Sequence, residues 1–175
     1  MGQVQEKTEL LNYDQQFVIT NANDVQRIIH PVWVSVDISS VSEYENTLKP
    51  FSIPQRYVFA MQWYFAEVYN GGHCQFYSNS TGIVWEDALA GFNAIGATKC
   101  AEILQSSTEP FGGEPSKCRA NRNDIMDYDN FNNEALDTLD LALYAVDDEF
   151  YCLAEKYIQA NARDFCFAGE VISYL

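Results

Sequence analysis

The stretch QRYVFAMQWYFAEVYNGG, residues 55–72, decides the fold. Its first fifteen residues contain neither Gly nor Pro, and Tyr57, Met61, Tyr64 and Val68 recur at spacings of 4, 3 and 4. At about 100° per residue those four side chains form one helical stripe. The remaining faces are also mostly apolar, so the segment reads as a central, buried helix. Gly71-Gly72 are expected to end it, because glycine accepts the left-handed backbone in which helices commonly terminate.

Working outward, the cleanest periodicity lies near the carboxyl end. Leu136, Leu139, Leu143, Val146, Phe150, Leu153 and Tyr157 repeat at 3, 4, 3, 4, 3 and 4. Read as one helix over 134–157 with Asn133 as N-cap, this segment turns Asp137, Asp148 and Glu155 away from the apolar stripe. Asp140 and Asp147 fall roughly 60–80° from them, with Tyr144 and Tyr151 between. From Asp137 to Glu155 such a helix would run ~27 Å, close to one turn of B-DNA at ~34 Å.

Between these landmarks, Trp85, Ala88, Leu89, Phe92 and Ile95 give an amphipathic helix stopped by Gly96, and 97–105 gives the next. Residues 73–79 read as a short helix, 42–48 as a helical turn, 110–115 as a loop and 116–123 as a polar, basic stretch. Residues 1–12 read as a weak helix. Asp24 caps a short helix through Ile29 that Pro31 ends. Val32, Val34, Val36 and Ile38 alternate with Trp33, Ser35 and Asp37, the pattern of a short strand or an extended connector. The expectation is a mainly α fold. It is a single compact domain over 1–175 with six to eight helices, in which 1–50 forms an N-terminal extension packed on the rest.

Charge is the second signal. The 175 residues carry 25 Asp plus Glu against ten Lys plus Arg, a net of −15. Such a chain is poorly suited to bind nucleic acid or anionic membrane directly, since both require cations. From Asp124 to Glu170 twelve acids face only Lys156 and Arg163, a local net of −10. Two thirds of the excess charge therefore sits in about a quarter of the chain. Five scattered cysteines without a C-x-x-C pair read as free thiols. Met1–Asp14 has no apolar signal core, and Tyr57–Val68 is too short and too interrupted to span a bilayer. The expected location is the cytoplasm.

The run Asn70-Gly71-Gly72-His73-Cys74-Gln75-Phe76-Tyr77-Ser78-Asn79-Ser80-Thr81-Gly82 follows the buried helix. Its glycines permit a sharp turn, Asn70 and Asn79 can bond turn backbone, and Gln75 can bridge the same corner. This N-G-G-x-x-Q-aromatic-aromatic-x-N-S-[ST]-G pattern resembles a bacterial family of small acidic helical proteins, whose described member is a neisserial DNA mimic. Ala94-Ile95-Gly96-Ala97, Ile103-Leu104 and Tyr157-Ile158-Gln159-Ala160-Asn161 are also similar to that family, so the resemblance covers about 53–163. His73-Cys74 stand where an aromatic and an acidic or small polar residue are expected. The resemblance implies carboxylates that imitate DNA phosphates and occupy a regulator's DNA-binding face.

Rival chemistries find less in the sequence. Asp124, Asp127 and Asp129 suggest a calcium loop, but from Asp127 the required fifth and sixth positions are Phe131 and Asn132. His30 and His73 have no zinc spacing. His73, Cys74 and Glu67 would compose a nucleophile set only if folding arranged them as one. No cofactor fingerprint is present.

The expectation is thus a non-enzymatic acidic DNA mimic without metal or cofactor. It binds a DNA-binding protein such as a helix-turn-helix regulator and competes with DNA. The residues expected to meet the partner are Asp127, Asp129, Glu134, Asp137, Asp140, Asp147, Asp148 and Glu155, with Tyr144 and Tyr151 as aromatic contacts. Asn70, Gly71, Gly72, Gln75, Asn79 and Gly82 are expected to build the corner. An immunity protein blocking a basic toxin, or an enzyme with its site at the Asn70–Gly82 corner, are the alternatives. A homodimer remains open and would extend the negative surface.

Overall fold

The computed structural model describes residues 6–128, 131, 133–146 and 148–174. Its ten α-helices and one two-stranded sheet form a single compact, mainly α domain. In chain order these are β1 (Glu6–Tyr13), α1 (Gln15–Asn21), α2 (Val25–Ile28), α3 (His30–Ser35), α4 (Val41–Leu48), α5 (Ile53–Ser78), α6 (Trp85–Ile95) and α7 (Thr98–Ser107). There follow α8 (Arg119–Met126), α9 (Asn133–Tyr144), α10 (Asp148–Ala160) and β2 (Phe167–Tyr174), with short 3-10 turns at Ser80–Val84, Glu109–Phe111 and Ala162–Phe165.

Helix α5 is the axis of the core. Ser52 caps it through a reciprocal box, its hydroxyl accepting from Gln55 N at 3.2 Å while the Gln55 carbonyl oxygen accepts from Ser52 N at 3.0 Å. Val58, Phe59, Met61, Tyr64, Phe76 and Tyr77 are fully buried along it. Helix α6 packs on α5, α9 packs on α5 and α7, and α10 lies against α1, α2 and α6. Phe92 of α6 and Phe150 of α10 complete the aromatic centre, the first edge-on to Phe65 and the second tilted against it. No helix among the described residues is long and apolar enough to cross a membrane.

Four elements depart from the sequence expectation. Residues 6–13 form a strand, not a weak helix. They pair antiparallel with β2, in a register from Glu6 opposite Tyr174 to Tyr13 opposite Phe167. A pairing between opposite ends of the chain leaves no local signature. Residues 30–35 are helical, which confines the short strand or extended connector expected at 32–38 to a connector over 36–38, free of helix and strand. Pro31 does not stop a helix there but lies in the first turn of α3, where its missing N–H costs nothing. The Val alternation was misleading because Val34 and Val36 are only half-buried, while Trp33 stacks on Trp63 at 4.3 Å.

The other two departures concern the functional half of the chain. Gly71-Gly72 do not end α5; they kink it, and the helix resumes at His73. The long C-terminal helix is two helices, α9 and α10, separated by a turn at Ala145-Val146. Leu136, Leu143 and Phe150 are buried as the periodicity required, but the chain turns between the second and third of them. The ~27 Å ruler of a continuous helix therefore does not exist.

Three buried phenols make a testable feature of this core. Tyr44 donates to Asp87 at 2.8 Å, Tyr77 shares a hydrogen bond with Ser107 at 2.7 Å, and Tyr64 shares one with His73. Burial raises all three above the ordinary phenol range. The unfolded chain would ionise these groups near pH ~10, so their contribution to stability is complete below that pH and is lost as pH rises beyond it. The urea midpoint should fall steeply above about pH 10, and tyrosinate absorbance should appear in step with loss of helicity. A midpoint that stays flat through that window would contradict the assignment.

Candidate functional site

The kink builds the site from the backbone outward. Gly71 has φ −162° and Gly72 φ +75°, the latter a left-handed value that disfavours any side chain. A Cβ on Gly72 would also collide with Asp140 Oδ2, and one on Gly71 with the Gln75 side chain. The break leaves His73 at the head of a new helical segment, with an N–H in need of an acceptor. Asp140 of α9 supplies it: Oδ1 accepts from His73 N at 2.9 Å and from His73 Nδ1 at 2.5 Å. An N-cap normally comes from the same chain segment; here it arrives from another helix, and its negative charge suits a helix N-terminus. A carboxylate only accepts, so Nδ1 carries the proton and Nε2 faces the Tyr64 hydroxyl at 2.6 Å. His73 and Tyr64 are fully buried.

The remaining corner polar groups are also consumed internally. Buried Glu67 accepts from Gln75 Nε2 at 2.7 Å and from Asn79 Nδ2 at 3.0 Å. Beyond them Arg122, with 0 % of its surface exposed, closes the end of α5. Its guanidinium donates to the carbonyls of Tyr77, Asn79, Ser116 and Lys117 at 2.6–2.9 Å. Burial draws its pKa down to about 10, so it remains a cation at neutral pH, as the carbonyls of a helix C-terminus favour. Gly82 is needed for this approach, because a Cβ there would lie 2.8 Å from the guanidinium. Arg122 was not legible as functional in sequence; nothing in 116–123 distinguishes it from Arg119.

The nucleophile set does not assemble. His73 turns to Tyr64 and Asp140, while Cys74 donates to Asn133 Oδ1 at 3.3 Å. Burial, reinforced by Asp137 and Asp140, pushes the Cys74 thiol up, the reverse of what an attacking thiolate needs.

The acidic segment divides. Asp127, Glu134 and Asp137 are exposed, and so are Asp124 and Glu149. Glu155 is half-buried and accepts from Gln159 at 3.3 Å. Asp140 is the correction: its side chain is only 15 % exposed and turned inward to His73, so it is not part of an outward array. Asp129 and Asp147 lie outside the described residues, and Asp148 is described only as the first residue of α10. Tyr144 is exposed, stacks on Tyr69 with centroids 5.2 Å apart and donates to Val68 O at 3.1 Å. Tyr151 is exposed beside Phe150. Among the described residues, no Lys or Arg pairs with an acid of the 124–170 stretch; the Lys and Arg ion pairs are Lys7–Glu9, Arg56–Asp87 and Lys117–Glu86.

Fold and site together define a small, acidic helical protein in whose last third, among the described residues, no acid forms an ion pair with Lys or Arg. The family model described as DMP19-like protein matches residues 49–161, and the chain belongs to that family, a family of DNA mimic proteins. The match runs from just after α4 to just beyond α10 and leaves β1, α1–α4 and β2 outside. No curated protein and no solved structure matches the chain.

Two acids three residues apart on α9 should therefore behave oppositely. Asp140→Ala should cost about 2–3 kcal/mol, because it strands a buried N–H and a buried imidazole. Amide exchange should accelerate across Asn133–Tyr144. Asp137→Asn should stay within about 0.5 kcal/mol of the parent. Equal losses in chemical denaturation would refute the division into an inner and an outer carboxylate.

Proposed function

We propose that this protein is a non-enzymatic DNA mimic that occupies the basic DNA-reading surface of a regulator, such as a helix-turn-helix protein, and excludes DNA from it. The observation that carries the reading is the exposed, unpaired set Asp127, Glu134 and Asp137 within a stretch of net charge −10. Membership of a DNA-mimic family supports it. Asp129, Asp147, Asp148 and Glu155 belong to the same acidic stretch of sequence.

The physical logic is electrostatic. Duplex DNA offers one negative charge per ~1.7 Å of axis. A helix with outward acids every three or four residues offers one per ~5–6 Å. One helix is therefore too sparse, and acids beyond α9 must share in the imitation. Unpaired carboxylates steer a cationic surface toward them and set the salt dependence of the encounter. An immunity protein against a basic toxin would share this charge. The competition with DNA separates the two, because a toxin's active site need not be a DNA-reading surface.

A triple variant, Asp127→Asn, Glu134→Gln and Asp137→Asn, keeps Asp140 and hence the fold. A partner recovered by crosslinking would be mixed with labelled operator DNA and the protein. The parent should displace the DNA, and the variant should need about tenfold more protein, with a shallower dependence on salt. Displacement by the variant at undiminished potency would place the mimicry on another face.

A further inference from the structure

The outer face of α9 is not uniformly anionic. Glu134, Asp137, Leu141 and Tyr144 follow one another at spacings of 3, 4 and 3, so they share one stripe, and all four are exposed. The stripe passes from carboxylates to an apolar end. Leu141 is 70 % exposed, Tyr144 46 %, and Tyr69 of α5, stacked on Tyr144, 40 %.

This end is rigid as well as apolar. Tyr144 is held by its hydrogen bond to Val68 O. Tyr69 is backed by Phe65 with centroids 5.7 Å apart, and Phe65 by buried Phe150 at 4.5 Å. A continuous column of rings thus runs from the core to the surface. Solvated carboxylates alone do not require such a column, and DNA phosphates offer nothing like it. Rigid tyrosine faces lose little freedom on binding, which is the property of an interface anchor.

We propose that Tyr69, Leu141 and Tyr144 form the anchor at which a basic partner protein seats an arginine-bearing apolar segment, with Asp137 and Glu134 flanking it. The inference rests on the mimic reading above and names the chemistry that its partner must bring. An arginine suits the site in three ways: its stem covers Leu141, its guanidinium plane stacks on a tyrosine face, and its N–H groups reach toward a carboxylate. A second copy of this chain suits it less. A two-fold contact would set Glu134 and Asp137 against their own equivalents in a chain of net charge −15.

Three labelled helical peptides of equal charge serve as probes for the full chain: one of arginine and leucine, one of lysine and leucine, one of arginine and serine. The arginine–leucine peptide should bind about tenfold tighter than either of the others, and part of that advantage should survive high salt. Leu141→Ser should erase the advantage of leucine without changing the salt slope, and Tyr144→Ser the advantage of arginine. Leu141 is the safer of the two, since its side chain packs little. Glu134→Gln with Asp137→Asn should instead flatten the slope and keep the ranking. Equal affinity for all three peptides, or an unchanged ranking in Leu141→Ser, would overturn the anchor while leaving the mimic reading intact. An unchanged slope in the acid variant would strike the mimic reading and spare the anchor. Sedimentation showing a dimer that Leu141→Ser dissociates would assign the patch to a second copy and overturn the proposal.

Discussion

The carboxylate of Asp140 inside the α5 kink is the constraint on which the rest depends. Two glycines release α5 from helical geometry, and the helix can restart only if the freed N–H of His73 finds an acceptor away from water. Asp140 provides it, together with a bond to the imidazole, and Tyr64 meets the other ring nitrogen. The dependence is mutual. A carboxylate this shielded would be costly without those donors, so α9 cannot dock unless the kink has formed. One interaction thereby fixes the path of the central helix and the rotation of the helix laid across it. With Asp140 facing inward, the helical period decides that Glu134, Asp137 and Leu141 face outward.

The far end of the kinked segment is held by the opposite charge. Residues 73–78 start at a carboxylate from α9 and finish at the Arg122 guanidinium from α8, each placed where the helix dipole favours it. Glu67 bridges the middle through Gln75 and Asn79. A chain with only ten strong cations thus buries one of them to close its own corner. Arg56 and Lys117 are engaged by acids of α6. Among the described residues, the carboxylates of 124–170 form no ion pair with Lys or Arg.

Much of this was legible in the sequence, and the failures share a cause. Periodicity located α5, α6, α7 and the buried Leu136, Leu143 and Phe150, because burial on one helix face leaves a local trace. The resemblance drawn over about 53–163 pointed to the family that the match over 49–161 shows. What escaped depends on partners remote in sequence. The β1–β2 pairing joins the two ends of the chain. The α9–α10 turn interrupts a stripe whose spacing continues across it. Asp140 looked equivalent to Asp137 because both are acids on one helix, and only the kink distinguishes them. Gly71-Gly72 were read correctly as a departure from helical geometry, but not as one that the helix survives.

The pairing of Asp140 with Asp137 also shows how a fold can present charge without losing definition. DNA keeps its phosphates at fixed spacing because the duplex is stiff; an imitation on a swinging helix would lose affinity to the entropy of arranging it. Helix α9 is not left to swing. Its inner face is locked by a carboxylate to a buried imidazole, and its end is pinned through Tyr144 to the α5 backbone. Both locks lie within one helix of the acids they orient. Like-charge repulsion along the outer face works against this order, since neighbouring carboxylates destabilise one another. The fold opposes that repulsion with buried, specific bonds in place of surface counter-ions, which would have neutralised the very charge being displayed.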